Sequence, residues 1–259
     1  MAQSVTVELS GGVAHVTLAR PEVRNAFNAE LIERLHEAFT EITAADDVRA
    51  VVLAGEGKVF CGGADIGWMR GSLDLSFDEN VRDAERMSDM FRAIDNCSKP
   101  VVGRVHGAAL GGGAGLAGVC DIVVAAEDAI FGFTEVKLGI IPAVISPFVL
   151  GKIGASQARR FFLTGERFGA RKALEIGLVH EVVTEDELDD TVERYLSELR
   201  SAGPHAVSAA KLLIRRVLDN AYDGTRAITA RAIAQQRISA EGQEGLRAFL
   251  ERRPASFSE

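Results

Sequence analysis

Glu135 lies in Phe131-Gly-Phe-Thr-Glu-Val-Lys-Leu-Gly139, a carboxylate set among apolar residues. Such surroundings raise a carboxylate's pKa and suit it to giving and taking protons. A surface carboxylate at a helix start is the plainer alternative. Two glycine-rich stretches offer a different kind of chemistry. His106-Gly-Ala-Ala-Leu-Gly-Gly-Gly-Ala-Gly-Leu-Ala-Gly-Val-Cys-Asp121 holds no acid, base or nucleophile between its two ends except Cys120, and Val59-Phe-Cys-Gly-Gly-Ala-Asp-Ile66 is a second bare turn. Glycines at a helix start expose backbone N–H groups, and the positive helix end favours a developing negative charge. An oxyanion hole needs two such donors, one from each loop.

The spacing Gly113-Ala-Gly115-Leu-Ala-Gly118 also matches G-x-G-x-x-G, the pattern of a dinucleotide-binding turn. That turn follows its strand directly and opens a long helix. Here the strand ends near Val105, eight residues too early, and only about seven helical residues precede Asp121. No Gly-Lys-Ser/Thr occurs either. The nucleotide reading fails. Close packing of a helix on a sheet accounts for one or two of the glycines.

The remaining reactive side chains form no constellation. His106 reads as a loop histidine satisfied by backbone, and His15, His36, His180 and His205 have neither metal spacing nor a nucleophile partner. Cys61, Cys97 and Cys120 are too scattered for a disulfide framework or a zinc site, so no metal is expected. Cys61 has no nearby base and reads as a small packing residue. Trp68 and Met69 fit the wall of a pocket and a packed core equally well. Lys211, Arg215 and Arg216 form a basic stripe that reads as a solvated face.

The 259 residues allow one large domain or one domain with an appendage; 47% are apolar and 25% charged. A net charge of −8 argues against general affinity for nucleic acid or acidic membranes. The apolar runs are too short to span a bilayer, and the start MAQSVTVELSGG has no targeting pattern, so a cytoplasmic protein is expected.

The elements that would position these residues follow from periodicity. Val5–Leu9 and Val13–Ala19 alternate around Gly11-Gly12 as a hairpin. Asn28 caps a helix with Leu31, Ile32, Leu35, Phe39 and Ile42 on one face. Residues 50–54, 100–105, 121–126 and 130–133 read as strands, and 78–95 as a helix with the stripe Val81, Met87, Met90, Phe91 and Ile94. Beyond residue 142 helical patterns follow at 146–153, 155–164, 170–176, 185–200, 204–220, 225–239 and 241–252. The result is a layered α/β fold with right-handed crossovers, followed by a helical region whose apolar faces must pack on the core or another subunit.

These residues together resemble the enoyl-CoA hydratase/isomerase (crotonase) superfamily. The resemblance rests on Arg20-Pro-Glu-Val-Arg-Asn-Ala-Phe27, Phe60-Cys-Gly-Gly-Ala-Asp-Ile66 and Gly107-Ala-Ala-Leu-Gly-Gly-Gly113. It continues through Cys120-Asp-Ile122, Phe131-Gly132, Glu135, Leu138-Gly139, Leu163-Thr-Gly165 and Gly177-Leu-Val179. It implies a crotonase-like spiral of ββα units over residues 1–183 and a C-terminal helical oligomerisation region over 184–259. It further implies an acyl-CoA thioester substrate, no cofactor beyond the coenzyme A that the substrate carries, and a homotrimer or dimer of trimers.

By position in the family, the Ala64 and Gly112 N–H groups are the oxyanion hole and Glu135 the acid/base. Arg24, Ala26, Ala64, Asp65 and Ile66 match the coenzyme A turn and loop, and Phe249 and Arg252 C-terminal coenzyme A contacts; Trp68 and Gly111, next to the two loops, are further substrate-binding candidates. Gly115 stands where the best-known hydratases carry the first of two glutamates, and a single glutamate is the pattern of the Δ3,Δ2-enoyl-CoA isomerases. The segment Glu135–Val149 nevertheless resembles bacterial methylglutaconyl-CoA hydratases. One carboxylate can also run a syn addition of water. Hydratase is the first expectation and isomerase the second. A catalytically inactive acyl-CoA binder or an RNA-binding protein is the reading of another class.

Overall fold

The computed structural model describes residues 3–258. Met1, Ala2 and Glu259, the ends of the expected segments 1–183 and 184–259, lie outside the described residues.

Strands β1 (Val5–Ser10) and β2 (Val13–Leu18) form the expected antiparallel hairpin. The Asn28 carboxamide accepts the Leu31 N–H at 2.9 Å and starts α1 (Ala29–Ala44), which buries the five apolar residues anticipated for it. Such a cap contributes about 1 kcal/mol. Strand β3 (Ala50–Gly55) pairs parallel with β2, as expected of a wholly apolar run. Helices α2 (Ile66–Gly71) and α3 (Phe77–Asp95) follow. The sequence pattern does not reveal α2, which is only six residues long.

The chain then repeats one unit. Strand β4 (Val101–Val105) joins the first sheet, β5 (Ala108–Leu110) turns into a second, and α4 (Gly112–Val119) crosses back. Strands β6 (Ile122–Ala126) and β7 (Ile130–Gly132) do the same before α5 (Ser146–Thr164). The return runs through β8 (Arg167–Gly169), α6 (Ala170–Glu175) and β9 (Glu181–Val183). Six strands lie in the order β1-β2-β3-β4-β6-β9, and three in the order β5-β7-β8. Each ββα unit thus gives one strand to each sheet, and its helix returns the chain to the next turn of a spiral. Strands β5, β8 and β9, of three residues each, are too short for periodicity to register.

One sequence expectation changes and another holds. Val81 is 38% exposed, because the inward stripe of α3 runs through Met87, Met90, Phe91 and Ile94 and continues towards Asp83 rather than Val81. The expected helices 146–153 and 155–164 are both present within 146–164, separated by the non-helical Gly154 (φ 68°, ψ 165°).

Helix α7 (Leu188–Ser201) packs Leu188, Val192 and Leu196 against the outer face of the large sheet. Helices α8 (Pro204–Leu218), α9 (Tyr222–Ile238) and α10 (Ala240–Glu251) complete the chain, with α9 starting three residues earlier than expected. The basic stripe of α8 is largely spent on docking. Lys211 Nζ meets Asp121 Oδ2 at 2.6 Å and the Lys99 carbonyl at 3.1 Å, while Arg215 reaches Asp95 and Asn96.

Candidate active site

The two glycine-rich loops meet. The Cys61 N–H donates to the Ala108 carbonyl and the Leu110 N–H to the Cys61 carbonyl, both at 3.0 Å, so the 60–64 turn lies along β5. Asn25, fully buried, fixes the turn from the other side. Its Nδ2 donates to the Glu56 and Val59 carbonyls at 2.8 and 2.9 Å, and its Oδ1 accepts the Arg20 N–H. Neither the Ala64 nor the Gly112 N–H donates to a protein acceptor among the described residues. Gly112 opens α4, so the helix end adds its positive field to that donor.

Each glycine of the G-x-G-x-x-G spacing has a packing cause. A Cβ on Gly113 would stand 2.4 Å from the Cys61 carbonyl oxygen, one on Gly115 2.3 Å from Ile145 Cγ2, and one on Gly118 3.0 Å from Val149 Cγ2. All three let α4 press against its neighbours, more than the one or two the sequence suggested. Packing by itself accounts for that spacing.

Both loops border a cavity of about 460 Å³. Gly63, Ala64, Gly111, Gly112, Glu135 and Trp68 contribute to its wall, which places Trp68 and Met69 at the pocket. Glu135 begins a short 3-10 turn (Glu135–Leu138), and its Oε2 is buried without a hydrogen-bond partner. Burial pushes its pKa above the ordinary carboxylate value. A carboxylate so placed is chemically able to carry a proton, and it lines the same cavity as the Ala64 and Gly112 backbone.

The other expected contacts lie apart from the cavity. Arg24, in a left-handed conformation (φ 59°), packs its side chain over Gly62. Ala26 is buried, and its carbonyl accepts from Arg20. The Asp65 carboxylate is turned to the protein: Oδ1 caps α2 through the Gly67 and Trp68 N–H groups, and Oδ2 pairs with Arg20 at 3.1 Å. Its side chain therefore positions the turn. Ile66 is 73% exposed outside the cavity. Phe249 is 80% exposed on α10 and Arg252 caps that helix, neither lining the cavity of its own chain.

His106 is satisfied as expected, with Nε2 2.9 Å from the Gly57 carbonyl oxygen. The Cys61 thiol is buried and its pKa pushed up to about 12, so it is inert. Ser146 Oγ donates to the Ala143 carbonyl and does not line the cavity. One functional candidate escaped the sequence reading. Asp83 lines the cavity together with Asn80, Ala84 and Met87, four residues on one face of α3. Carrying the Ile94-Phe91-Met90-Met87 spacing backwards by three and four residues would have found it. Among the described residues no cluster of His, Cys, Asp or Glu could hold a metal, and no helix is long and apolar enough to cross a membrane.

Residues 8–259 match the enoyl-CoA hydratase/isomerase family. The chain is 33% identical over 252 residues to a short-chain-enoyl-CoA hydratase of Clostridium acetobutylicum, covering 96% of this chain and 95% of that one. An enoyl-CoA hydratase structure from Shewanella pealeana superposes with a TM-score of 0.94 at 37% identity, over 98% of this chain and 95% of that one. Pseudomonas aeruginosa AtuE superposes with a TM-score of 0.96 at 36% identity, over 99% and 100% of the two chains. These likenesses bear out the expected crotonase-like α/β fold. With nearly its whole length matched, the chain belongs to the enoyl-CoA hydratase/isomerase family.

Proposed function

We propose that the protein is an enoyl-CoA hydratase acting on a conjugated 2-enoyl thioester. The observation that carries this reading is Glu135, a buried carboxylate lining the same cavity as the free Ala64 and Gly112 N–H groups. The two N–H groups hold the thioester oxygen and stabilise the enolate; one such donor is typically worth on the order of 3 kcal/mol in the transition state. Glu135 takes a proton from water as the water oxygen bonds to the β carbon. The electron pair of the double bond passes to the thioester oxygen, and Glu135 returns its proton to the α carbon. The likeness to a protein named a short-chain-enoyl-CoA hydratase supports this direction.

A second reading has its own observation. The space beside Gly115 is filled by Ile145 and Phe91, leaving no room there for a second carboxylate. Glu135 alone would then move a proton between the carbons of a 3-enoyl thioester, as an isomerase does.

The acyl group in this proposal is short and uncharged. The resemblance to methylglutaconyl-CoA hydratases would instead bring a distal carboxylate into the cavity. Among the described residues no Lys, Arg or His lines its wall.

Exposed Leu212, Ile214, Leu218 and Leu250 on α8 and α10 favour assembly through residues 184–259 as a homotrimer or dimer of trimers. In that assembly Phe249 and Arg252 would reach coenzyme A bound by a neighbouring copy, and Arg24 and the Ala64–Ile66 backbone would flank coenzyme A within the chain. Light scattering on the purified protein tests the assembly.

The reaction is tested by offering crotonyl-CoA and a 3-enoyl-CoA in parallel and resolving products by mass. Gain of one water by crotonyl-CoA is the expected result. Conversion of the 3-enoyl ester alone, with no water gained, makes the isomerase reading the correct one.

A further inference from the structure

The α3 wall of the cavity is polar where the rest is largely apolar, and its polarity has one sign. Three polar side chains on or just before that helix line the space: Ser72, Asn80 and Asp83. The donors on these groups are already used within the protein. Ser72 Oγ donates to the Met69 carbonyl at 2.7 Å, and Asn80 Nδ2 donates to the Leu75 and Ser76 carbonyls at 3.1 Å each. The Asp83 carboxylate has no donor to give. Arg86 holds its Oδ1 at 2.8 Å, while Oδ2 has no hydrogen-bond partner among the described residues. Asp83 is only 15% exposed and Arg86 64%, so the acid faces inward and its counter-ion lies in solvent. Solvent screens the exposed cation more than the enclosed anion.

We propose that Asp83, with the acceptor oxygens of Asn80 and Ser72, selects the acyl group by charge. The wall excludes acyl chains ending in a carboxylate, and it accommodates uncharged chains, including those carrying one hydrogen-bond donor such as a hydroxyl. A terminal carboxylate brought against the α3 wall would face Asp83, with no cation lining the cavity among the described residues and no free donor on Ser72, Asn80 or Asp83 to replace the water it loses. Burying an unpaired charge is among the costliest events in binding. A hydroxyl would find free acceptors. The inference rests on the cavity being the acyl site, but not on whether the reaction is hydration or isomerisation.

The test therefore uses saturated thioesters, which need no turnover. Dissociation constants for valeryl-CoA and glutaryl-CoA, of equal chain length, are measured by calorimetry on the intact protein. The wild type is expected to bind valeryl-CoA at least about tenfold more tightly, ~1.4 kcal/mol. In Asp83→Asn, which keeps size and shape, that preference should shrink by about tenfold. In Arg86→Gln, a change at an exposed side chain, it should widen, because the acid loses its partial neutralisation. Equal affinity of the wild type for both esters overturns the proposal, as does a preference unchanged within about twofold in both variants. Failure of crotonyl-CoA to gain water is a separate result that bears on the hydratase reading alone.

Discussion

Glu135 lies directly over Gly111: a Cβ on residue 111 would stand 3.3 Å from Glu135 Oε1. Gly111 has φ 52° and ψ −121°, a conformation that L side chains rarely adopt, at the point where β5 gives way to α4. The turn that aims the α4 N-terminus at the cavity and the space that receives the carboxylate are thus one feature. Gly111→Ala should lower turnover at least about tenfold by displacing Glu135. Backbone strain should cost about 1–3 kcal/mol in chemical denaturation. Wild-type turnover in a folded Gly111→Ala protein would show that the carboxylate need not sit there.

Glu135→Gln should reduce turnover by about 10²–10⁴-fold, the range expected for loss of a general acid/base, while acyl-CoA affinity changes little. The same substitution carries a stability signature. The folded-state pKa of Glu135 is raised, so the native state holds a proton that the unfolded state releases first. Stability is therefore lost as pH rises from the ordinary carboxylate pKa through the raised one. Glu135→Gln should melt higher than wild type at neutral pH and converge with it near the acid end. Melting curves in parallel from mildly acid to neutral pH decide this, and a gap that widens towards acid contradicts it.

Restoring a second glutamate at residue 115 should fail by itself. A side chain there collides with Ile145 and with Phe91 Cζ, the latter 3.1 Å from an added Cβ. Gly115→Glu should destabilise the fold by about 1–3 kcal/mol through overpacking, with no gain in hydration. Pairing it with Ile145→Ala should recover part of the stability. If the single substitution is neutral in urea unfolding, the packing account is wrong.

Asp121 joins the core to α8 through two bonds, accepting the Val101 N–H at 2.7 Å and Lys211 Nζ at 2.6 Å on the same oxygen. Asp121→Ala should cost about 1–3 kcal/mol by leaving the Val101 N–H unsatisfied and removing the ion pair with Lys211, which keeps its bond to the Lys99 carbonyl. Lys211→Met should cost less, since the backbone bond survives. Equal losses in urea denaturation would mean that the backbone bond contributes nothing.

Much of the framework was readable because the relevant signals are local. The Asn28 cap, the α1 stripe and the β1–β2 hairpin each follow from residues within one or two turns of chain. The short elements β5, β8 and β9 were not readable, because three residues carry too little pattern and their pairing comes from strands distant in sequence. Asp83 was missed for a related reason. A polar residue on an apolar stripe reads as an interruption until a cavity stands opposite it.

The sequence by itself determined that the chain holds two bare backbone turns and one acid amid apolar residues. Those facts reside in residue types: glycine without a side chain, glutamate with a titratable one. Only the tertiary structure decided which groups share a space. It brought Glu135 onto Gly111 and Asp83 onto the same cavity from another element, filled the space beside Gly115 with Ile145, and spent Asp65 on Arg20 and the α2 cap. Such choices depend on close approach between segments tens of residues apart. Packing fixes them only once both sheets and the helices between them are in place.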